Sequence, residues 1–118
     1  MTREPDIELL VDGRATRGYL ARPAGAGPWP GVVVVQEWWG LNDNIRDTAD
    51  RLAGEGFVAL APDLYYGHTA QEPDEARKLA MGLEYPAAMR VLQTAINYLI
   101  GLDIVAPKRM GLVGICMG

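Results

Sequence analysis

Three short apolar runs, GVVVVQE (31–37), FVALAPD (57–63) and KRMGLVGI (108–115), are separated by stretches with helical spacing. A half-buried strand alternates apolar and polar residues. Runs without alternation predict strands covered on both faces, the setting of a parallel sheet between two helix layers. Between the first two runs, Asn42 or Asp43 can cap a helix in which Ile45, Ala49, Leu52 and Ala53 recur on one face, with Gly54 and Gly56 to end it. Between the second and third, PDEARKLAMGL predicts a short helix with Pro73 in its first turn. YPAAMRVLQTAINYLIGL then predicts a longer one presenting Ala88, Leu92, Ala95, Ile96 and Leu99. The order strand, helix, strand, helix, strand predicts an α/β fold with a mostly parallel sheet, helices on both faces and right-handed crossovers.

Ahead of this core, DIELLVDGRATRGYLARPA reads as strands 6–11 and 15–21 joined through DGR, an antiparallel hairpin at the sheet edge. AGAGPWPG (24–31) is expected to be a loop without any element. Pro62 is expected to end the second buried strand, just before a loop containing Tyr65, Tyr66 and His68.

A chain of 118 residues fits one domain. Its net charge of -4, with acidic and basic residues intermixed, argues against nucleic acid as a partner. No apolar run approaches the roughly 20 residues that span a bilayer. MTREPDIELL has no apolar stretch behind a basic start, so a cytoplasmic location without a membrane partner is expected. One cysteine and one histidine are too few for a usual zinc site, and no Gly-rich phosphate loop follows a strand; no metal or cofactor is expected.

The cysteine lies in GICMG (114–118), directly after the third apolar run. A nucleophile between a strand and a helix sits on a sharp, strained turn that closes only when the residues two places away are small, and Gly114 and Gly118 meet that need. The five residues are equally compatible with a Gly-punctuated strand end around an inert buried thiol.

Taken together, VVQEWWGLNDNIRDTADRLAGEGFVALAPDLYYG (34–67), the helix pair after it and GLVGICMG (111–118) resemble the N-terminal half of a dienelactone hydrolase family protein, an α/β-hydrolase. The resemblance runs from about Val11 to Gly118. QEWWG, APDLYYG and GICMG carry it, in that order and spacing. It implies that residues 1–118 form the N-terminal part of a single α/β-hydrolase domain. It also implies that Cys116 is the nucleophile of a thioester mechanism, with the His base and the Asp that orients it further along. His68 precedes the nucleophile and is not expected to be that base. A second polypeptide carrying the C-terminal half is a possible partner.

The same resemblance gives Glu37 the task of taking the Cys116 proton. This makes chemical sense because the thiolate, not the thiol, is the nucleophile. It puts the oxyanion hole at the backbone N–H groups of Trp38 and Met117, and substrate contacts at Trp38, Trp39, Tyr65 and His68. One departure concerns the Arg that grips the substrate carboxylate in members acting on dienelactone. Aligned on Asp63, Leu64 and Tyr65, its place is taken by Gly67, and no Arg lies between Arg51 and Arg77. The expected activity is hydrolysis of small lactones or esters of the carboxymethylenebutenolidase type. The alternatives are a general carboxylesterase or thioesterase, and a catalytically silent or inactive module that binds a small acid or a partner chain.

Overall fold

The computed structural model describes residues 5–114. In chain order the elements are β1 (Ile7–Val11), β2 (Arg14–Ala21), β3 (Trp29–Val35), α1 (Asp43–Gly54), β4 (Val58–Pro62), α2 (Pro73–Gly82), α3 (Tyr85–Ile100) and β5 (Val105–Gly114). The strands form one sheet in the order β1-β2-β4-β3-β5. β1 and β2 are the expected hairpin, joined at Asp12 and Gly13. Both residues have positive φ, as a two-residue turn matching the strand twist requires.

β3 is flanked by parallel neighbours, β4 on one side and β5 on the other, while β2 pairs with β4 antiparallel. Among the described residues only β2 runs against the other four strands, so the sheet is mostly parallel in strand direction as expected, although β2 makes both of its own pairings antiparallel. Helices do cover both faces. Val32 and Val34 join Ile45, Ala49 and Ala53 of α1 in one cluster, and Val33 joins Ala95 and Leu99 of α3 in another. Val33 and Val34 are fully buried on opposite sides, and each such side chain contributes about 2 kcal/mol relative to exposure. This explains the lack of alternation in the run.

Three expectations need correction. β3 begins at Trp29, inside the stretch expected to be a loop, because the Trp29 N–H donates to the Ile104 carbonyl and Trp29 pairs with Val105. The buried line of α3 is Val91, Ala95 and Leu99, with Leu92 and Ile96 only partly covered and packed at its margin. β5 is not covered along its length. Val105 is buried, whereas Leu112 is 60% exposed, since among the described residues β5 forms the sheet edge opposite β1. The pairing of β5 with β3 slips between Trp29 and Gly31, where β5 carries extra residues including Pro107, which could not donate to a regular ladder.

Asn42 caps α1, its Oδ1 accepting from the Ile45 N–H at 3.2 Å, and Gly56 (φ +97°) follows the helix. Among the described residues no helix is long and apolar enough to cross a membrane.

Candidate functional site

Two chain segments leave the sheet side by side, where the parallel strands end. The first follows β3 and runs through Gln36, Glu37, Trp38, Trp39 and Gly40. The Gly40 N–H returns to the Glu37 carbonyl at 3.1 Å, closing a tight turn. Gly40 has φ +100°, and a Cβ there would lie 2.8 Å from the His68 carbonyl oxygen, so both backbone conformation and space demand glycine. Glu37, Trp38 and Trp39 are each partly buried, and the two indoles meet edge to face with centroids 5.5 Å apart.

The second segment follows β4 and runs from Asp63 to Ala70. Asp63 is wholly buried, and its carboxylate accepts from the Tyr65 N–H (2.9 Å), the Gly67 N–H (2.9 Å) and Arg17 Nε (2.7 Å). Its backbone is held as firmly, with its N–H donating to the Arg17 carbonyl and its carbonyl accepting from the Thr16 hydroxyl. A buried charge is tolerated only when paired and hydrogen-bonded in this way. Arg17 also approaches Asp6, which in turn pairs with Arg46 of α1 at 2.9 Å. The loop so anchored contains Tyr66 at φ +50° and Gly67 at φ +96°. Tyr66 is unusual for a bulky side chain, and its ring lies 3.7 Å beneath the Arg14 guanidinium.

The two segments are tied together. The Leu64 N–H donates to Gln36 Oε1 at 2.8 Å, and the Ala70 N–H donates to the Trp39 carbonyl at 2.9 Å. Tyr65 is buried, and burial pushes its phenol above the ordinary value. Among the described residues neither Gln36 Nε2 nor Tyr65 Oη has a hydrogen-bond partner. His68 is exposed, its backbone N–H donating to the Tyr65 carbonyl at 3.2 Å.

Of the residues singled out in the sequence, Glu37, Trp38 and Trp39 lie in the first segment, and Tyr65 and His68 in the second. Cys116 and Met117 lie outside the described residues. A polar cleft of about 470 Å³ adjoins the α1 N-terminus, lined in part by Arg17, Asn42, Arg46, Thr69 and Gln71, and neither tryptophan is in its wall. Among the described residues no three metal-ligating side chains come together. Sequence reading missed the roles of Asp63 and Gln36. The signal for Asp63 was an aspartate at a strand end with glycine four residues on, a spacing at which a carboxylate can collect loop N–H groups. Gln36 offered no comparable signal.

Residues 16–118 match the Dienelactone hydrolase family. "Protein usf" of Aquifex pyrophilus is 38% identical over 118 residues, covering 95% of this chain and 50% of that protein. A protein of Aquifex aeolicus (strain VF5) named "Putative carboxymethylenebutenolidase" is 39% identical with the same coverage. Among solved structures, the "Putative Dienelactone Hydrolase" of Klebsiella pneumoniae superposes with a TM-score of 0.85 at 30% identity, over 97% of this chain and 50% of that one. The chain thus spans about half the length of the relatives it matches.

Proposed function

This chain belongs to the dienelactone hydrolase family, and from that premise we propose that it carries the nucleophile of a cysteine hydrolase for small lactones or esters, of the carboxymethylenebutenolidase type. The observation that carries this reading is the register of β3 against β5. Val35 pairs with Gly114; Glu37 is two residues beyond Val35, and Cys116 two beyond Gly114. Parallel neighbours end on the same side of a sheet, where open α/β sheets bind ligands, and this register supports Glu37 and Cys116 acting together.

In this reading the Glu37 carboxylate takes the Cys116 proton, and the thiolate sulfur bonds to the substrate carbonyl carbon. The oxygen of the tetrahedral adduct carries the negative charge, accepted by the Trp38 and Met117 N–H groups. The carbon–oxygen bond to the leaving alkoxide then breaks, the alkoxide takes the proton that Glu37 holds, and a thioester remains. Water cleaves the thioester with help from a His and an Asp supplied by residues beyond Gly118, in the same chain or in a second polypeptide. Residues 1–118 are accordingly the N-terminal part of one hydrolase domain. Trp38, Trp39, Tyr65 and His68 line the substrate's approach.

The test is a burst with p-nitrophenyl acetate and mass analysis of the trapped protein. We expect one acetyl group on Cys116 and loss of turnover in Cys116→Ala. Equal turnover by Cys116→Ala and the parent would sink the thioester mechanism.

One observation favours a second reading, a general carboxylesterase or thioesterase. At Gly67, where the resemblance implies a carboxylate-gripping Arg, the chain offers only a backbone N–H, and that N–H is occupied by Asp63. Arg17, close by, is engaged by the same carboxylate. Turnover of a lactone bearing a free carboxylate against that of its methyl ester ranks the two readings.

A further inference from the structure

Gln36 is fully buried, yet only one end of its carboxamide is used. Oε1 accepts from the Leu64 N–H, while Nε2 has no partner among the described residues. A buried N–H left unsatisfied costs about 1 to 3 kcal/mol, and without the Gln36 oxygen the Leu64 N–H would be such a group. The reason for an amide here lies in what its oxygen holds. Gln36 directly precedes Glu37 in the turn after β3, and Leu64 belongs to the loop after β4 that delivers Tyr65 and His68.

Two further ties join the same segments at their far ends. One is the bond from the Ala70 N–H to the Trp39 carbonyl, and the other is the close approach of Gly40 to the His68 carbonyl. Between Leu64 and Ala70 the loop depends on Asp63, which collects the Tyr65 and Gly67 N–H groups. The only side-chain link described between turn and loop is Gln36, and it sits at the root of both.

We propose that Gln36 is a positioning residue whose carboxamide oxygen, by holding the Leu64 N–H, couples the Glu37–Trp38 turn to the Tyr65–His68 loop so that both arms of the site keep one geometry. The catalytic part of this proposal rests on the hydrolase reading above; the mechanical part does not. Gln36 touches no reacting atom in this account. It fixes the Glu37 carboxylate and the Trp38 N–H, whose placement matters in the transition state, so its loss lowers kcat and leaves KM nearly unchanged.

The experiment, on the full polypeptide, combines amide hydrogen exchange with steady-state kinetics on p-nitrophenyl acetate for the parent, Gln36→Leu and Gln36→Glu. In the parent, the Leu64 amide should exchange as slowly as those of β4; exchange at the rate of an unprotected loop amide overturns the proposal without any variant. Gln36→Leu should speed Leu64 exchange about tenfold with β4 unchanged, and lower kcat about tenfold with KM within about twofold. Gln36→Glu keeps an acceptor oxygen and should keep Leu64 protected. A folded Gln36→Leu with parental kcat, or equal loss of protection in the Leu and Glu variants, overturns the proposal. If Gln36→Leu does not fold, the parent and Gln36→Glu exchange data decide. A parent without Cys116-dependent turnover overturns the hydrolase reading and the catalytic part of this one, whereas slow Leu64 exchange in that sample still upholds the tie.

Discussion

The two flanks of β3 differ more than their sequences do. On the β4 side every residue from Val58 to Pro62 is buried, helices cover both faces, and the strand ends in a carboxylate that gathers three donors. On the β5 side the strand is longer but forms an edge. Leu112 is largely exposed, and an apolar groove of about 420 Å³ opens beside it, lined in part by Val32, Leu52, Phe57, Leu112 and Val113. FVALAPD and KRMGLVGI carry similar apolar patterns. What separates them is whether a neighbour is present among the described residues, and pattern alone does not encode that.

This contrast can be broken most forcefully at its sealed side. Leu60 is fully buried between β2, β3 and the α3 layer, and Leu60→Ala is expected to cost about 3 kcal/mol in urea unfolding. A loss under about 1 kcal/mol would mean that the β4 flank is not the rigid half. Next comes Asp63→Asn, which removes the charge facing Arg17 and turns one acceptor into a donor among donors; a loss of about 2 kcal/mol is expected by the same assay. Its amide-exchange signature should fall on Tyr65 and Gly67 rather than on β5.

Tyr65 provides a smaller, pH-dependent probe. Burial raises its pKa in the folded chain above 10.0, so the unfolded chain loses the proton first. Stability is complete below pH 10.0 and falls as pH rises through the folded value, and Tyr65→Phe should flatten that alkaline decline. At neutral pH the same substitution removes a hydroxyl that has no hydrogen-bond partner among the described residues, and it is expected to change stability by less than about 0.5 kcal/mol. The smallest effect is expected at the open flank. With Leu112 exposed, Leu112→Ala should cost no more than about 0.5 kcal/mol. A loss of about 2 kcal/mol or more there would mean that further residues cover β5 in the protein under test.

Much of the frame was legible because local chemistry determined it. The DGR stretch predicted the hairpin turn, the cap was narrowed to Asn42 or Asp43 and proved to be Asn42, and the unbroken valines predicted a strand between two helix layers. Trp29 was misread because the surrounding glycines and prolines outweighed a pairing with Val105 that is remote in sequence. The stripe of α3 was displaced toward Val91 because packing on Val35 and Tyr65 selects the buried face, and those residues come from other elements. Within the site, the resemblance pointed to Glu37, the tryptophans and Tyr65. It did not point to Asp63 or Gln36, whose importance lies in partners brought near only by the fold.

The position of β3 in the sheet also governs how the chain can assemble. β3 meets β4 soon after it is made, but its other edge must wait for β5, whose last described residue pairs with Val35 after α1, β4, α2 and α3 have all been laid down. Until then a strand carrying four consecutive valines has one open side. Closing a contact between such distant segments is slow relative to forming the helices between them. During synthesis the exposed margin of β3 is therefore the place where a nascent chain is most vulnerable to pairing with the wrong strand, and the place where a chaperone has most to shield.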